Sequence, residues 1–90
     1  MVGYRIKDYS IGDVARMTGA TQKQLRSWEG KYIPEPERLV CGDRAYRRYS
    51  QKDLDLIREI KRLLDEGFTL SVAAQKAREA VKTNFRKENR

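Results

Sequence analysis

The chain has 90 residues, 39% hydrophobic and 37% charged, with 20 Lys+Arg against 13 Asp+Glu and a net charge of +7. That is room for one small domain; no run nears the ~20 apolar residues of a membrane span, no signal-peptide core follows the N-terminus, and the expected setting is the cytoplasm, at the nucleoid. Histidine is absent and the cysteine count is one, Cys41, which removes the commonest general base, the commonest metal ligand and any internal disulfide, so no enzyme, metal centre or cofactor is expected and a polyanionic partner is.

Residues 1–8 read as an N-terminal extension. Ser10 with Asp13 three residues on is a helix-capping arrangement, and Ile11, Val14, Ala15 and Met17 follow at helical spacing. Gly19 ends this first helix. Thr21 caps a second, Gln22 to Glu29, with Leu25 and Trp28 on its apolar face and Gln22, Lys23, Arg26 and Ser27 facing outward; Gly30 ends it. Two helices of about two turns each, joined at Thr18–Gly19–Ala20, make a helix-turn-helix.

Pro34 and Pro36 keep the segment after Gly30 out of helix. Leu39, Val40 and Cys41, a Gly42-Asp43 turn, and then Tyr46 to Tyr49 read as a hairpin. Arg44, Arg47, Arg48 and Lys52 against Asp43 give residues 42–52 a net charge of +3. Side chains alternate along a strand, so Arg47 and Tyr49 point to one face and Tyr46 and Arg48 to the other, and one of these pairs packs inward.

Ser50 and Asp53 cap a third helix with a stripe of Leu54, Ile57, Ile60, Leu63 and Leu64, ended by Gly67. Residues 53–75 hold three basic and five acidic groups, so this helix is mildly acidic. Thr69 caps a fourth helix, from about Leu70 to Glu88, lined by Leu70, Ala73, Ala74, Ala77, Ala80, Val81 and Phe85; residues 76–90 are basic, six groups to two. This helix serves either as a dimer contact through Leu70, Ala77, Val81 and Phe85 or as the last core helix with a basic outer face. The fold class is mainly α: a winged helix-turn-helix over residues 9–78 with a small β-hairpin wing and a second helical pair, followed by a basic helix end and tail over 79–90. Its core draws on Ile11, Val14, Leu25, Trp28, Ile33, Leu54, Ile57, Ile60, Leu64 and Leu70.

Three motifs in this order resemble the MerR-type transcriptional regulators. Tyr9-Ser10-Ile11-Gly12-Asp13-Val14-Ala15 is similar to that family's opening helix, Thr21 through Leu25-Arg26-Ser27-Trp28-Glu29 to its second helix, and Ala45-Tyr46-Arg47-Arg48-Tyr49-Ser50 to its wing signature. Ser27 stands where the family pattern has the first of two aromatics, a feature shared with its light-responsive, cobalamin-dependent repressors. The resemblance implies sequence-specific binding of double-stranded DNA. The second helix enters the major groove with Gln22, Lys23, Arg26 and Ser27, residue types suited to base edges and phosphates. The wing brings Arg44, Tyr46, Arg47, Arg48 and Tyr49 to the backbone or minor groove, with Arg47 reaching DNA and Tyr49 near the backbone. Glu29 is expected to be structural, paired with an arginine of the wing or of the second helical pair. Cys41 is expected to be a small strand residue. The rival reading is a DNA-bending protein of the excisionase kind, which shares the winged helix arrangement. The chain is either the detached DNA-binding part of a longer protein or a small regulator by itself. The plainest alternative for the outward polar residues is a solvated surface.

Overall fold

The computed structural model describes the backbone of residues 9–88 and the side chains of residues 9–82. The elements run α1 (Ile11–Thr18), α2 (Gln22–Trp28), β1 (Glu37–Cys41), β2 (Arg44–Arg48), α3 (Gln51–Asp65) and α4 (Leu70–Glu88). This is the mainly helical winged helix-turn-helix expected from the sequence, element for element.

The helix starts are chemically explicit. Ser10, Thr21 and Ser50 each accept the backbone N–H three residues on, and Asp13, Gln24 and Asp53 reach back to the N-cap backbone, three reciprocal capping boxes. The turn between α1 and α2 is tight because Gly19 takes φ +86 while its N–H bonds the Ala15 carbonyl. Thr18 locks the same turn, its hydroxyl donating to the Val14 carbonyl at 2.7 Å and accepting from the Ala20 N–H at 3.2 Å. After α2 the Trp28 carbonyl receives the N–H groups of Lys31, Tyr32 and Ile33, which folds the chain back so that Ile33 enters the core.

The core is one cluster: Val14, Ala20, Leu25, Trp28, Ile33, Tyr49, Leu54, Leu56, Ile57, Ile60, Leu63, Ala73, Ala74 and Ala77. Ile11, Leu64 and Leu70, expected inside, only pack against its edge. Tyr49, Leu56 and three alanines of α4 take their place. Alanines suit the α3–α4 contact because small side chains let the two helix backbones approach, so this pair contributes its burial mainly through α3. Of the residues named for a dimer contact, Ala77 is fully buried against α3, Leu70 and Val81 are half-buried, and the Phe85 side chain lies outside the described set. Among the described residues, the buried part of the apolar face of α4 is Ala73, Ala74 and Ala77, which join the core. The division drawn after residue 78 falls inside α4, which is continuous, and the extension 1–8 lies outside the described residues.

The wing is a two-stranded antiparallel hairpin in the register Glu37↔Arg48, Arg38↔Arg47, Leu39↔Tyr46, Val40↔Ala45 and Cys41↔Arg44. Gly42 supplies the positive φ of +64 that the first position of its two-residue turn takes. Beyond β2 the chain is anchored by paired 2.8 Å hydrogen bonds between the backbones of Tyr9 and Tyr49, tying the wing's base to the start of the domain.

Candidate nucleic-acid interface

Helix α2 shows two distinct faces. Leu25 and Trp28 are 0% and 2% exposed, which fixes the helix rotation, and Gln22, Lys23, Arg26 and Ser27 are left on the solvent side. Positions i, i+1, i+4 and i+5 share one side of a helix, so these four form one polar surface. Within it the Arg26 guanidinium donates to the Gln22 side-chain oxygen at 3.1 Å, and the Ser27 hydroxyl donates to the Gln24 carbonyl at 2.9 Å. Arg26 and Gln22 thus form a paired donor–acceptor unit, with the Gln22 amide nitrogen lying close to Gly12 of α1. Lys23 adds a flexible cation beside them.

The two faces of the wing are separated by strand alternation. Arg38 and Arg47, opposite each other in the register, lie on the face toward the body of the domain, and both reach Glu29. The Glu29 carboxylate is 7% exposed at the C-terminal end of α2. One oxygen accepts from Arg47 Nε and from the Tyr49 hydroxyl, the latter at 3.0 Å; the other lies 3.6 Å from the Arg38 guanidinium. Tyr49 is fully buried, and burial together with the neighbouring Glu29 carboxylate pushes its hydroxyl well above the ordinary phenol pKa. The opposite face carries Arg44, Tyr46 and Arg48 with Leu39; Arg44 is exposed, Tyr46 and Leu39 are 47% and 43% exposed, and Arg48 is half-buried.

Of the nine residues singled out from the sequence, six are thus exposed: Gln22, Lys23, Arg26 and Ser27 on α2, and Arg44 and Tyr46 on the wing; Arg48 starts from the same wing face but is half-buried, its Nε shielded from solvent. Arg47 and Tyr49, the pair assigned to DNA by resemblance, are turned inward, because an acidic side chain at the end of α2 holds them there. The expected role of Glu29 in pairing a wing arginine is what the structure shows. Arg38 was missed. A two-residue turn at Gly42-Asp43 fixes the register and places Arg38 opposite Arg47, which was the signal available to find it. Cys41 ends β1 as an exposed free thiol.

Positive charge also lies on α4, with Lys76, Arg78 and Lys82 against Glu79, but α3 adds little. On α3, Lys61 pairs with Asp65 at 2.7 Å and Arg62 pairs with Glu59 and Glu66, so this exposed surface is largely neutralised within its own helix. No group of acidic or cysteine side chains among the described residues could hold a metal ion, and no described helix is long and apolar enough to cross a membrane.

A helix-turn-helix with an outward polar second helix, flanked by an arginine-bearing hairpin, defines a winged helix DNA-binding domain. The model of the MerR HTH family of regulatory proteins matches residues 9–80, and the chain belongs to that family. It is 34% identical over 70 residues to the HTH-type transcriptional repressor CarH of Myxococcus xanthus, covering 77% of this chain and 22% of that one. It is 41% identical over 64 residues to the mercuric resistance operon regulatory protein of Bacillus cereus, covering 70% and 46%. The solution structure of the N-terminal domain of the CarA repressor superposes with a TM-score of 0.61 at 32% identity, covering 90% of this chain and 95% of that one. The chain thus spans less than half the length of the CarH and mercuric resistance regulators. These matches favour a regulator over the excisionase reading.

Proposed function

We propose that this domain binds a specific duplex DNA sequence near a promoter as the DNA-reading part of a MerR-type regulator. Helix α2 lies in the major groove, where Gln22, Lys23, Arg26 and Ser27 meet base edges and flanking phosphates. The wing presents Arg44, Tyr46 and Arg48 to the adjacent backbone or minor groove. The observation that carries this reading is the burial of Leu25 and Trp28, which aims one continuous polar face of α2 outward beside the outward face of the wing. Its place in the cell is the cytoplasm, at the nucleoid, and occupation of promoter DNA by two copies is how it would act on transcription.

Footprinting on the DNA upstream of the protein's own gene tests this. The expected result is protection of guanine N7 atoms in one major-groove segment per protomer, with minor-groove protection beside it. Uniform protection of any DNA, with no preferred segment, would refute it.

A further inference from the structure

We infer that Glu29 is a positioning residue for DNA recognition: it never touches DNA, but holds the wing at a fixed place relative to the recognition helix. The inference rests on the DNA-binding reading above. Helix α2 and the wing have no shared secondary structure, and 8 residues, Glu29 to Pro36, separate the end of one from the start of the other. Core packing joins them through Leu25, Trp28 and Tyr49, which share one buried cluster, and the Glu29 carboxylate adds a polar link. Glu29 is the C-terminal cap residue of α2; one of its oxygens accepts from Arg47 of β2 and from Tyr49 at the wing's base, and the other forms an ion pair at 3.6 Å with Arg38 of β1. A carboxylate that is 7% exposed needs those partners, and a planar guanidinium satisfies it in one orientation. Together with the Tyr9–Tyr49 backbone bonds at the wing's base, that geometry holds the hairpin.

The arrangement also fixes which wing face is offered to DNA. With Arg38 and Arg47 facing Glu29, alternation turns Arg44, Tyr46 and Arg48 the other way. Glu29 therefore sets the step between major-groove and wing contacts, a geometric element of specificity separate from any base contact.

The sign of one substitution separates this from a direct role of Arg47. If Arg47 were a phosphate ligand, Glu29→Gln would release it and remove a negative charge near the polyanion, and binding would strengthen. If Glu29 positions the wing, Glu29→Gln weakens cognate binding by about tenfold, because the wing contacts are no longer preorganised. Footprints of wild type and Glu29→Gln on the same site, at matched folded concentration, provide the second readout. The expected pattern is retained N7 protection in the major groove, from α2, with lost hydroxyl-radical protection on the wing side. Equal loss on both sides means general destabilisation and overturns the inference, as does unchanged or tighter binding. If Glu29→Gln is unfolded, Tyr49→Phe takes its place: it removes one donor to Glu29, keeps the charge and ring, and is too buried to touch DNA. Wing-side loss in that variant supports the inference, and parallel loss or no loss overturns it. A wild type that protects no segment overturns the DNA reading itself, which is distinct from a wild type and variant with the same full footprint.

Discussion

Tyr49→Phe isolates one hydrogen bond in the structural centre of the wing attachment. The Tyr49 side chain is fully buried and donates at 3.0 Å to a carboxylate that is itself 7% exposed. Hydrogen bonds to charged groups contribute about 1.5–3 kcal/mol. Glu29 keeps Arg47 and Arg38 in the variant, and phenylalanine refills the ring's volume, so the low end applies, about 1.5 kcal/mol. For a domain of this size that lowers the unfolding midpoint by roughly 6–12 °C. The pH dependence gives an independent check. The folded-state pKa of Tyr49 is raised above its ordinary 10.0, so its contribution is complete below about pH 10 and is lost as pH rises beyond that, when the unfolded chain ionises first. Urea unfolding of wild type and variant, followed by circular dichroism at about pH 8 and about pH 11, should show the stability gap narrowing at the higher pH. A loss below about 0.5 kcal/mol at about pH 8, smaller than a typical neutral hydrogen bond, or a gap that does not depend on pH, would refute the assignment of this bond.

Trp28→Ala empties a site that is 2% exposed and should cost about 3–5 kcal/mol, a large part of a small domain's total, so the variant should be largely unfolded by circular dichroism at about 37 °C. Ser50→Ala removes one arm of the capping box of α3 and should cost about 1 kcal/mol in urea titration. Arg26→Ala should lose about 1–3 kcal/mol on the cognate site and much less on random DNA in competition binding at fixed salt. Arg44→Ala, on the outward wing face, should weaken binding to both DNAs alike and reduce the salt slope by about one.

Helix ends were legible because capping is local: a Ser or Thr three residues before an Asp or Gln specifies its own hydrogen bonds, as Ser10, Thr21 and Ser50 do. The hairpin was legible from its Gly-Asp turn, and the polar face of α2 from the spacing of Leu25 and Trp28. The core was read less well where burial depends on neighbours distant in sequence. Tyr49 is indistinguishable locally from the exposed Tyr46, and residues distant in sequence make it interior: the core cluster it joins, the Tyr9 backbone and the Glu29 carboxylate. The pairing of Arg47 with Glu29 depends on the same distant residue. A strand pattern says that Arg47 and Arg48 face opposite ways, but not which of them is inside; a carboxylate at the end of another element decides that. Ile11, Leu64 and Leu70 were expected inside because they are apolar at helical spacing, yet each lies at the edge of a stripe whose centre is filled by Val14, Ile60 and the alanines of α4.

On the proposed reading, α2 and the wing together form a surface for duplex DNA. The most direct measurement is fluorescence anisotropy of a labelled duplex from upstream of the gene, titrated with the protein at several salt concentrations. With about four phosphates neutralised per protomer by the cations of α2 and the wing, log K should fall against log salt with a slope of roughly −4, and a random duplex should bind more weakly at every salt. A slope near zero, or equal affinity for both duplexes at every salt, would contradict it.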